Sequence, residues 1–316
     1  MNTTHDRYPS RTGAKAELLP RRDPVIHSQP DSAVCSIPLT PEQIRDYEQN
    51  GFLVLHELFS AAEVACFTQE LDRLRSDLAL KDSGEVINEP GSGEVRSLFR
   101  IHAISPVFEL MARDKRLADI ARGFLGDEVY VHQSRLNYKP GFRGKEFYWH
   151  SDFETWHVED GMPNMRALSM SITLTENTAC NGPLMVMPGS HKLYATCTGA
   201  TPAEHFKESL RKQEYGVPND EQLTEIAERF GIVNATCKPG SVIIFDCNLM
   251  HGSNSNITSN PRSNAFFVYN ALSNRVAAPF CNQLPRPEYI ATRQSIQPLM
   301  PRAVSMAEYC VAGAKS

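Results

Sequence analysis

Residues 129 to 139 have the sequence VYVHQSRLNYK, in which two kinds of side chain alternate along most of the segment. A period of two is typical of a β-strand, whose successive side chains point to opposite faces. The two faces carry Gln133, Arg135, Asn137 and Lys139 on one side and Tyr130, His132, Leu136 and Tyr138 on the other. A strand face as polar as the first one lies against either water or a polar cavity.

The same alternation returns further along the chain and predicts more strands. Between Ala167 and Thr175, serine or threonine at every second position alternates with leucine, methionine or isoleucine. Further strands are expected over Leu184 to Met187, Val242 to Phe245 and Ser263 to Ala271. If the apolar face of these strands packs on helices, their polar face lines the interior of a barrel.

Helix signals precede these strands. Thr40 and Gln43 form a capping box that opens a helix, and Gly51 ends it before a short strand over residues 52 to 55. A second capping box opens an amphipathic helix that we expect over residues 61 to 80. Both helices come before the first long strand in the sequence.

Three further segments complete the outline of the fold. Another helix is expected over residues 106 to 125, and the Gly- and Glu-rich residues 82 to 95 predict a loop. Residues 195 to 235 form a polar, partly helical insert, either a surface excursion or a lid, with residues 195 to 212 as the hypothetical lid. Helices followed by many short strands indicate a mainly β fold, a barrel or sandwich with bracing helices.

Composition limits the class of protein. Of the 316 residues, 41% are hydrophobic and 22% are charged, as in soluble globular proteins. A net charge of -5 without long basic runs argues against a nucleic-acid partner. No apolar stretch approaches the roughly 18 residues that span a membrane. Because the N-terminal residues also lack the apolar core of a signal peptide, we expect a cytoplasmic protein.

The expected organisation is one large domain with two flanking segments. Residues 1–36 lack apolar periodicity and predict a flexible N-terminal extension, residues 37–300 predict the folded domain, and residues 301–316 predict a C-terminal tail. The eight cysteines are dispersed without a CxxC pair. They are therefore expected to be reduced thiols that pack as small apolar side chains.

The densest cluster of chemically active side chains is FYWHSDFETWH, residues 147 to 157. His150 and Asp152 are two residues apart on a strand or strand end, so both can reach one metal ion. The third ligand must come from a neighbouring strand, and His251 follows the strand expected over residues 242 to 245. Two imidazoles and one carboxylate on one face of an octahedral ion leave three positions open, which suits non-haem Fe(II).

The His-x-Asp pattern of residues 150 to 152 is weak evidence by itself, and an arginine makes the assignment more specific. Arg262 lies eleven residues after His251, on the next expected strand. A 2-oxoglutarate molecule that binds iron through its keto acid needs a cation at its far carboxylate, for which the guanidinium fork is suited. The carboxylate of Asp152 also argues against a halogenase, in which chloride takes that ligand position.

Longer motifs are more specific than the ligand set. They are QSRLNYKPG from Gln133, HSDFETWHVEDGMP from His150 and NGPLMVMPGSH from Asn181. Through them the sequence resembles the phytanoyl-CoA-hydroxylase-like family of Fe(II)/2-oxoglutarate-dependent dioxygenases over about residues 40 to 300. Within that family it resembles most the members that act on ectoine.

The resemblance implies a double-stranded β-helix core, that is, a jelly-roll or cupin-like fold. It also implies that ectoine, 2-oxoglutarate and O2 give 5-hydroxyectoine, succinate and CO2. The residues that it places at iron are His150, Asp152 and His251. Those that it places at 2-oxoglutarate are Lys139, Asn137, Phe147, Ser253 and Arg262, and those at ectoine are Gln133, Trp156, Phe99, Phe245 and Phe266. A homodimer and a role of the product in osmotic and heat stress response are implied as well.

Two other functions stay open on the sequence alone. A different hydroxylase of the same fold would keep the three ligands and Arg262 but change the substrate pocket, whereas Gln133 and Trp156 favour ectoine. A jelly-roll binding protein without catalysis would not need the full set of ligands. Binding of Fe(II) and 2-oxoglutarate together would separate that class from the hydroxylases.

Overall fold

The computed structural model describes residues 6–13, 15–28, 37–81, 83–89, 93–206 and 215–314. The strands are β1 (Leu18–Pro20), β2 (Phe52–Leu55), β3 (Val86–Asn88), β4 (Val95–Phe99), β5 (Val129–Lys139), β6 (Phe147–His150), β7 (Ala167–Thr173), β8 (Leu184–Val186), β9 (Leu193–Ala195), β10 (Val233–Asn234), β11 (Val242–Asp246), β12 (His251–Ser253) and β13 (Arg262–Ala271). The α-helices are α1 (Pro41–Asn50), α2 (Ala61–Ser76), α3 (Leu78–Lys81), α4 (Ile101–Ile104), α5 (Pro106–Arg113), α6 (Lys115–Leu125), α7 (Asp152–Asp160), α8 (Asp220–Phe230) and α9 (Met306–Ala314).

Two antiparallel sheets face each other. The larger has the strand order β2-β11-β7-β13-β5-β4-β3, and the smaller has the order β10-β8-β12-β6. Their inner faces meet where Leu184 and Val186 of β8 pack with Phe245 of β11 and Phe266 of β13. This is the jelly-roll arrangement, mainly β, that the sequence predicts.

The main core lies between the larger sheet and the helices. Apolar side chains of β5, β7, β11 and β13 pack there against α2, α5 and α6, with Met170, Ile172, Phe108 and Phe124 fully buried. The alternate side chains therefore face the smaller sheet, and they are mostly polar on β5 and β7 but include Ile243, Phe245 and Phe266 on β11 and β13. The ambiguity in the strand pattern is resolved in favour of a polar barrel interior.

Several predicted elements match closely. Helix α1 begins at the Thr40 capping box and ends at Gly51, whose φ of 77° is left-handed. A side chain at Gly51 would also meet the His191 ring at 2.4 Å. Strands β5 and β7 start where the alternation starts.

Two of the predicted helices are broken. The helix expected to reach residue 80 ends at Ser76, because Asp77 is extended and its carboxylate accepts from the Ala79 amide at 2.9 Å. The helix expected over residues 106 to 125 is divided at Asp114, whose side chain accepts from the Arg116 amide at 2.9 Å. An aspartate can end one helix and cap the next because its carboxylate competes for backbone amides.

The loop expected over residues 82 to 95 is wrong at residues 86 to 88 and 95, which lie in strands. Strands β3 and β4 form a hairpin there and extend the larger sheet beyond β5. The buried ion pair between Arg96 and Glu89 joins the two strands at 3.0 Å. Glu89, which forms the ion pair, contributes to the polar composition of this segment. A loop prediction that depends on composition does not detect such a buried pair.

The expected flexible extension over residues 1–36 is wrong for residues 6–13 and 15–28. The Tyr8 ring is buried between Phe153 and Tyr194, with centroids 5.1 Å from each. Strand β1 pairs with β9, and Arg21 contacts Asp246 at 2.7 Å. The segment docks through one short strand pairing and a few buried side chains, so it shows no apolar period. Residues 29–36 lie outside the described part.

The prediction of reduced cysteines is wrong at one pair. Cys66 of α2 and Cys310 of α9 form a disulfide with a Cα–Cα distance of 5.5 Å. It joins the predicted C-terminal tail to the helical layer, where Tyr309 is buried. Cys197, Cys237 and Cys247 are free and buried, as expected, whereas Cys180 is free and exposed.

Two further points concern the surface. Among the described residues, the helices are all too short or too polar to cross a membrane. Of the hypothetical lid over residues 195 to 212, the part from residue 207 lies outside the described residues, so the lid stays a hypothesis. The insert does contain β10 and the well-capped helix α8.

Candidate active site

The three predicted metal ligands come together in the barrel. Antiparallel pairing of β12 with β6 puts His251 directly opposite His150, the last residue of β6. Asp152 follows two residues later as the first residue of α7. One ligand atom from each of the three residues lies within 4.8 Å of the others.

Hydrogen bonds orient both imidazoles. His150 Nδ1 lies 2.6 Å from the Tyr148 carbonyl, and His251 Nδ1 lies 2.9 Å from the Leu249 carbonyl. Because carbonyls only accept, each Nδ1 carries the proton and each Nε2 keeps its lone pair. The Nε2 atoms of His150 and His251 lie 3.7 and 3.9 Å from the Asp152 carboxylate. The three side chains are therefore oriented so that they can coordinate one metal ion.

The electrostatics also suit a metal ion. Burial, with the neighbouring His251, lowers the pKa of His150 to about 4, so its imidazole is neutral at pH 7. Ser169 of β7 donates to Asp152 Oδ2 at 3.3 Å, which leaves lone pairs of the carboxylate for a ligand bond. Two imidazoles and one carboxylate fit Fe(II) with coordination positions left open.

A pair of buried cations lies next to the ligands. Arg262 and Lys139 are 3% and 1% exposed and stand opposite each other on β13 and β5. Lys139 Nζ donates to Ser253 Oγ at 2.9 Å and to the Asn254 carbonyl, and Arg262 Nη2 donates to the Gly182 carbonyl. In the described part of the chain, no salt bridge neutralises either cation, and Arg262 Nε has no hydrogen-bond partner.

Burial has a large effect on both cations. It lowers the pKa of Arg262 to about 10. Burial and the charge of Arg262 lower the pKa of Lys139 to about 6. Without a ligand the Lys139 amine is therefore largely neutral at pH 7, and an anion bound beside the buried Arg262 would favour its protonated form.

The predicted cosubstrate residues surround this cation pair. Asn137, Phe147, Ser253 and Arg262 line one cavity together with His150 and His251. Lys139 reaches it through its bond to Ser253. Phe266, which is predicted to contact ectoine, also lines this cavity. It does not line the cavity on the other side of His150, where most of the other predicted substrate residues lie.

A second cavity lies on the other side of His150. Phe99, Gln133 and Trp156, all predicted at ectoine, line it together with Asp152. Gln133 Nε2 donates to the Ile290 carbonyl at 2.8 Å, and its Oε1 accepts from Arg135 at 3.3 Å. Arg135, Phe147 and His150 border both cavities, so the two adjoin at these side chains.

Phe245 is the predicted substrate residue that lines neither cavity. Its ring packs in the barrel interior with Leu249 and Phe266, 5.0 Å from the ring of His251. Strand alternation places it correctly on the inner face, but its ring packs against other side chains and does not line either cavity. Its position indicates support of a ligand rather than contact with a substrate.

Seven residues that line the second cavity are not predicted as site residues from the sequence: Ser97, Arg135, Thr155, Glu159, His205, Tyr215 and Arg286. Arg286 makes two bonds to Asp160, from Nε at 2.7 Å and from Nη2 at 2.5 Å. Although burial opposes ionisation of Asp160, Arg286 lowers its pKa to about 2. Arg135 belongs to the polar face of β5, a signal that could have identified it, whereas no pattern in the segment around Arg286 points to the site.

A jelly roll that gathers two imidazoles, one carboxylate and a buried cation pair around one cavity defines a non-haem metal oxygenase. Comparison with known proteins agrees. The family model described as "Phytanoyl-CoA dioxygenase (PhyH)" matches residues 47–264. The chain belongs to the phytanoyl-CoA dioxygenase family.

Individual relatives are similar over nearly the whole chain. The ectoine dioxygenase of Sphingopyxis alaskensis is 59% identical over 288 residues, 91% of this chain and 93% of that protein. The ectoine dioxygenase of Stutzerimonas stutzeri is 55% identical over 294 residues, 93% of this chain and 96% of that protein. A crystal structure of EctD from S. alaskensis with 2-oxoglutarate and 5-hydroxyectoine has a TM-score of 0.85 and 53% identity, and covers 95% of this chain and 99% of that chain.

Proposed function

We propose that the protein hydroxylates ectoine to 5-hydroxyectoine in a reaction that depends on Fe(II), 2-oxoglutarate and O2. The observation that supports this best is the placement of the His150, Asp152 and His251 ligand atoms beside the buried side chains of Arg262 and Lys139, which have no carboxylate partner among the described residues. The similarity to ectoine dioxygenases supports the choice of substrate.

The metal ligands and the cation pair have separate tasks. His150, Asp152 and His251 would hold Fe(II), which with 2-oxoglutarate and O2 supplies the oxidising power for C–H hydroxylation. Arg262 binds the far carboxylate of 2-oxoglutarate with its guanidinium fork. Lys139 adds a second positive charge, held toward the cavity by Ser253 and the Asn254 carbonyl. Asn137 and Phe147 complete the walls of this end.

The second cavity suits ectoine, a small cyclic amidine with a carboxylate. Trp156 and Phe99 offer aromatic faces on which a delocalised cation can lie. Gln133 offers a polar edge, and Arg286 is a cation for the carboxylate. Because the cavity adjoins His150 and Asp152, a substrate in it lies next to the metal. The residues thus orient the substrate and exclude water, while the bound iron supplies the chemistry.

Product analysis tests the proposal. Purified protein is incubated in air with Fe(II), 2-oxoglutarate and ectoine, and 5-hydroxyectoine and succinate are measured by mass spectrometry. Equal amounts of both are expected, and neither from Asp152→Ala. Succinate without hydroxylated ectoine would indicate another hydroxylase of this fold. No product from protein that binds iron would indicate a binding protein.

Cellular location and assembly belong to the same proposal. The family resemblance implies a cytoplasmic homodimer whose product is a compatible solute in osmotic and heat stress. Light scattering after size-exclusion chromatography tests the assembly, since a monomer of 35.3 kDa and a dimer are well separated. Cell fractionation tests the location.

A further inference from the structure

A buried arginine near the N-terminus contacts the helix that carries a metal ligand. The Arg11 side chain is 1% exposed, and its backbone is left-handed with φ 53°. Its backbone amide donates to the Cys197 carbonyl at 2.8 Å, which fixes the residue against the segment after β9. Arg11 belongs to a segment outside the two facing sheets. Neither sequence periodicity nor strand pairing predicts a buried charge in that segment.

The guanidinium of Arg11 binds two carboxylates of α7. Nε and Nη2 donate to the two oxygens of Glu154 at 3.0 and 2.6 Å, and Nη1 donates to Glu159 Oε1 at 2.6 Å. Nη2 also reaches Thr155 Oγ1 at 3.3 Å, and Nη1 reaches Thr201 Oγ1 at 3.2 Å. Every nitrogen of the guanidinium is therefore used, and four side chains from two segments are tied to one residue.

The contacts of Arg11 lead directly to the substrate side of the site. Thr155 and Glu159 line the second cavity, where Trp156 lies between them on α7. Thr201 and Glu159 line a neighbouring cavity with Arg286 and His205. The backbone of Gly216 packs on the ion pair, since a side chain there would lie 2.2 Å from Arg11 Nη2. The next residue back, Tyr215, lines the second cavity too.

The ligand end of α7 has anchors of its own. The Phe153 amide donates to the Cys247 carbonyl at 2.8 Å, and Ser169 donates to Asp152 at 3.3 Å. His150 and His251 are fixed by strand pairing. Loss of Arg11 would therefore affect the Thr155 to Glu159 turn and leave the metal ligands in place.

We propose that Arg11 is a positioning residue for the substrate cavity, which it shapes by holding Glu154, Thr155 and Glu159 of α7 and Thr201. This inference rests on the proposed function, because it assigns ectoine to the second cavity. Without Arg11, two buried carboxylates five residues apart on one helix lose their shared cation, and the turn between them relaxes. Arg11 itself lines neither cavity, so its effect reaches the substrate only through its partners.

The test compares Arg11→Gln and Arg11→Lys with a control in the same segment. Arg7→Gln is the control, because Arg7 is 41% exposed and pairs with Asp23 rather than with α7. For each protein, three quantities are measured: the KM for ectoine, the ratio of 5-hydroxyectoine to succinate, and anaerobic binding of 2-oxoglutarate to the Fe(II) form by its charge-transfer absorption. The last quantity reports the metal and cosubstrate end alone.

In Arg11→Gln, the KM for ectoine is expected to rise about tenfold or more, since small misplacements of positioning groups have effects of that size. Succinate should then exceed 5-hydroxyectoine, while 2-oxoglutarate binding stays at the wild-type level. Arg11→Lys should recover part of the loss, and Arg7→Gln should behave as wild type.

Three outcomes would overturn the inference. Wild-type KM and product ratio in folded Arg11→Gln would show that the cavity does not depend on this residue. Equal loss of 2-oxoglutarate binding and ectoine use, or failure of both Arg11 variants to fold, would show a purely structural role. If the wild type itself forms succinate without 5-hydroxyectoine, the proposed function fails, a result distinct from any change confined to the variants.

Discussion

The two ends of the active site are built from different parts of the molecule. Metal and cosubstrate residues lie on or at the ends of paired strands, where His251 faces His150 and Arg262 faces Lys139 in register. The substrate side combines strand residues such as Gln133 with residues of helix α7, the insert and the C-terminal segment such as Arg286. The first end is fixed mainly by strand pairing, whereas the part of the second end outside the sheets is fixed by contacts between side chains.

This difference assigns reaction chemistry to the sheets and substrate choice to the surrounding segments. Strand positions are rigid, so ligand geometry is held closely, whereas loops vary without disturbing the fold. Substitutions of the metal and cosubstrate residues on the paired strands should therefore remove metal or cosubstrate binding. Substitutions in the surrounding segments should change ectoine use and leave cosubstrate binding unchanged.

The largest effect is expected from Asp152→Ala. Two imidazoles without the carboxylate do not complete the ligand set for Fe(II). Turnover and the charge-transfer absorption with 2-oxoglutarate should both be lost, while the melting temperature without metal is unchanged. Asp72→Ala, at a site 66% exposed on α2, is the control. An active, folded Asp152→Ala would remove the ligand assignment.

Arg262→Gln comes next. It removes a charged hydrogen-bond donor from the far carboxylate, worth about 1.5–3 kcal/mol, or about 10- to 100-fold in 2-oxoglutarate affinity. Titration of the charge-transfer absorption measures this, with the exposed Arg275→Gln as control. The KM for ectoine at saturating 2-oxoglutarate should hardly change. A larger effect on ectoine than on 2-oxoglutarate would reverse the assignment of the two ends.

Binding of 2-oxoglutarate should also depend on pH through Lys139. Burial and Arg262 lower its pKa to about 6, so above pH 6 the free site holds a neutral amine. A bound carboxylate raises that pKa, so binding takes up a proton and affinity falls as pH rises, by about tenfold per unit well above pH 6. Calorimetry of the Fe(II) form in buffers of different ionisation enthalpy measures this uptake. Lys139→Met should lose it, and wild-type enthalpies independent of buffer would contradict the prediction.

The smallest effect is expected from Trp156→Phe. A phenyl ring keeps much of the packing but attracts a cation less than an indole, which corresponds to a rise of about fivefold in the KM for ectoine. Succinate formation without ectoine should be unchanged. Trp149→Phe, on the opposite side of β6 from His150, is the matched control. Equal loss of both activities in Trp156→Phe would argue against a substrate role.

The strand-based end of the site is largely predictable from the sequence. Alternation along residues 129 to 139 places Gln133, Arg135 and Asn137 on one face, and the structure shows that face inside the barrel. Phe245 shows the limit of this reasoning, because alternation gives the correct face but cannot show that the ring packs against neighbours instead of lining a cavity.

The substrate-side end is less predictable, because its contacts join residues that are far apart in the sequence. These residues follow no periodic hydrophobic pattern. Arg11 binds Glu154 over 143 residues, and Arg286 binds Asp160 over 126. Nothing local to either arginine identifies the partner. The breaks at Asp77 and Asp114 have a similar cause, since one carboxylate that binds a nearby amide outweighs the helical period around it.

An anaerobic crystal structure with Fe(II), 2-oxoglutarate and ectoine would test the division of the site most directly. The account predicts the far carboxylate of 2-oxoglutarate on Arg262 and the ectoine ring against Trp156, with Arg11 still bound to Glu154 and Glu159. Density for the far carboxylate on Arg286, with ectoine beside Arg262, would exchange the two ends and contradict the account.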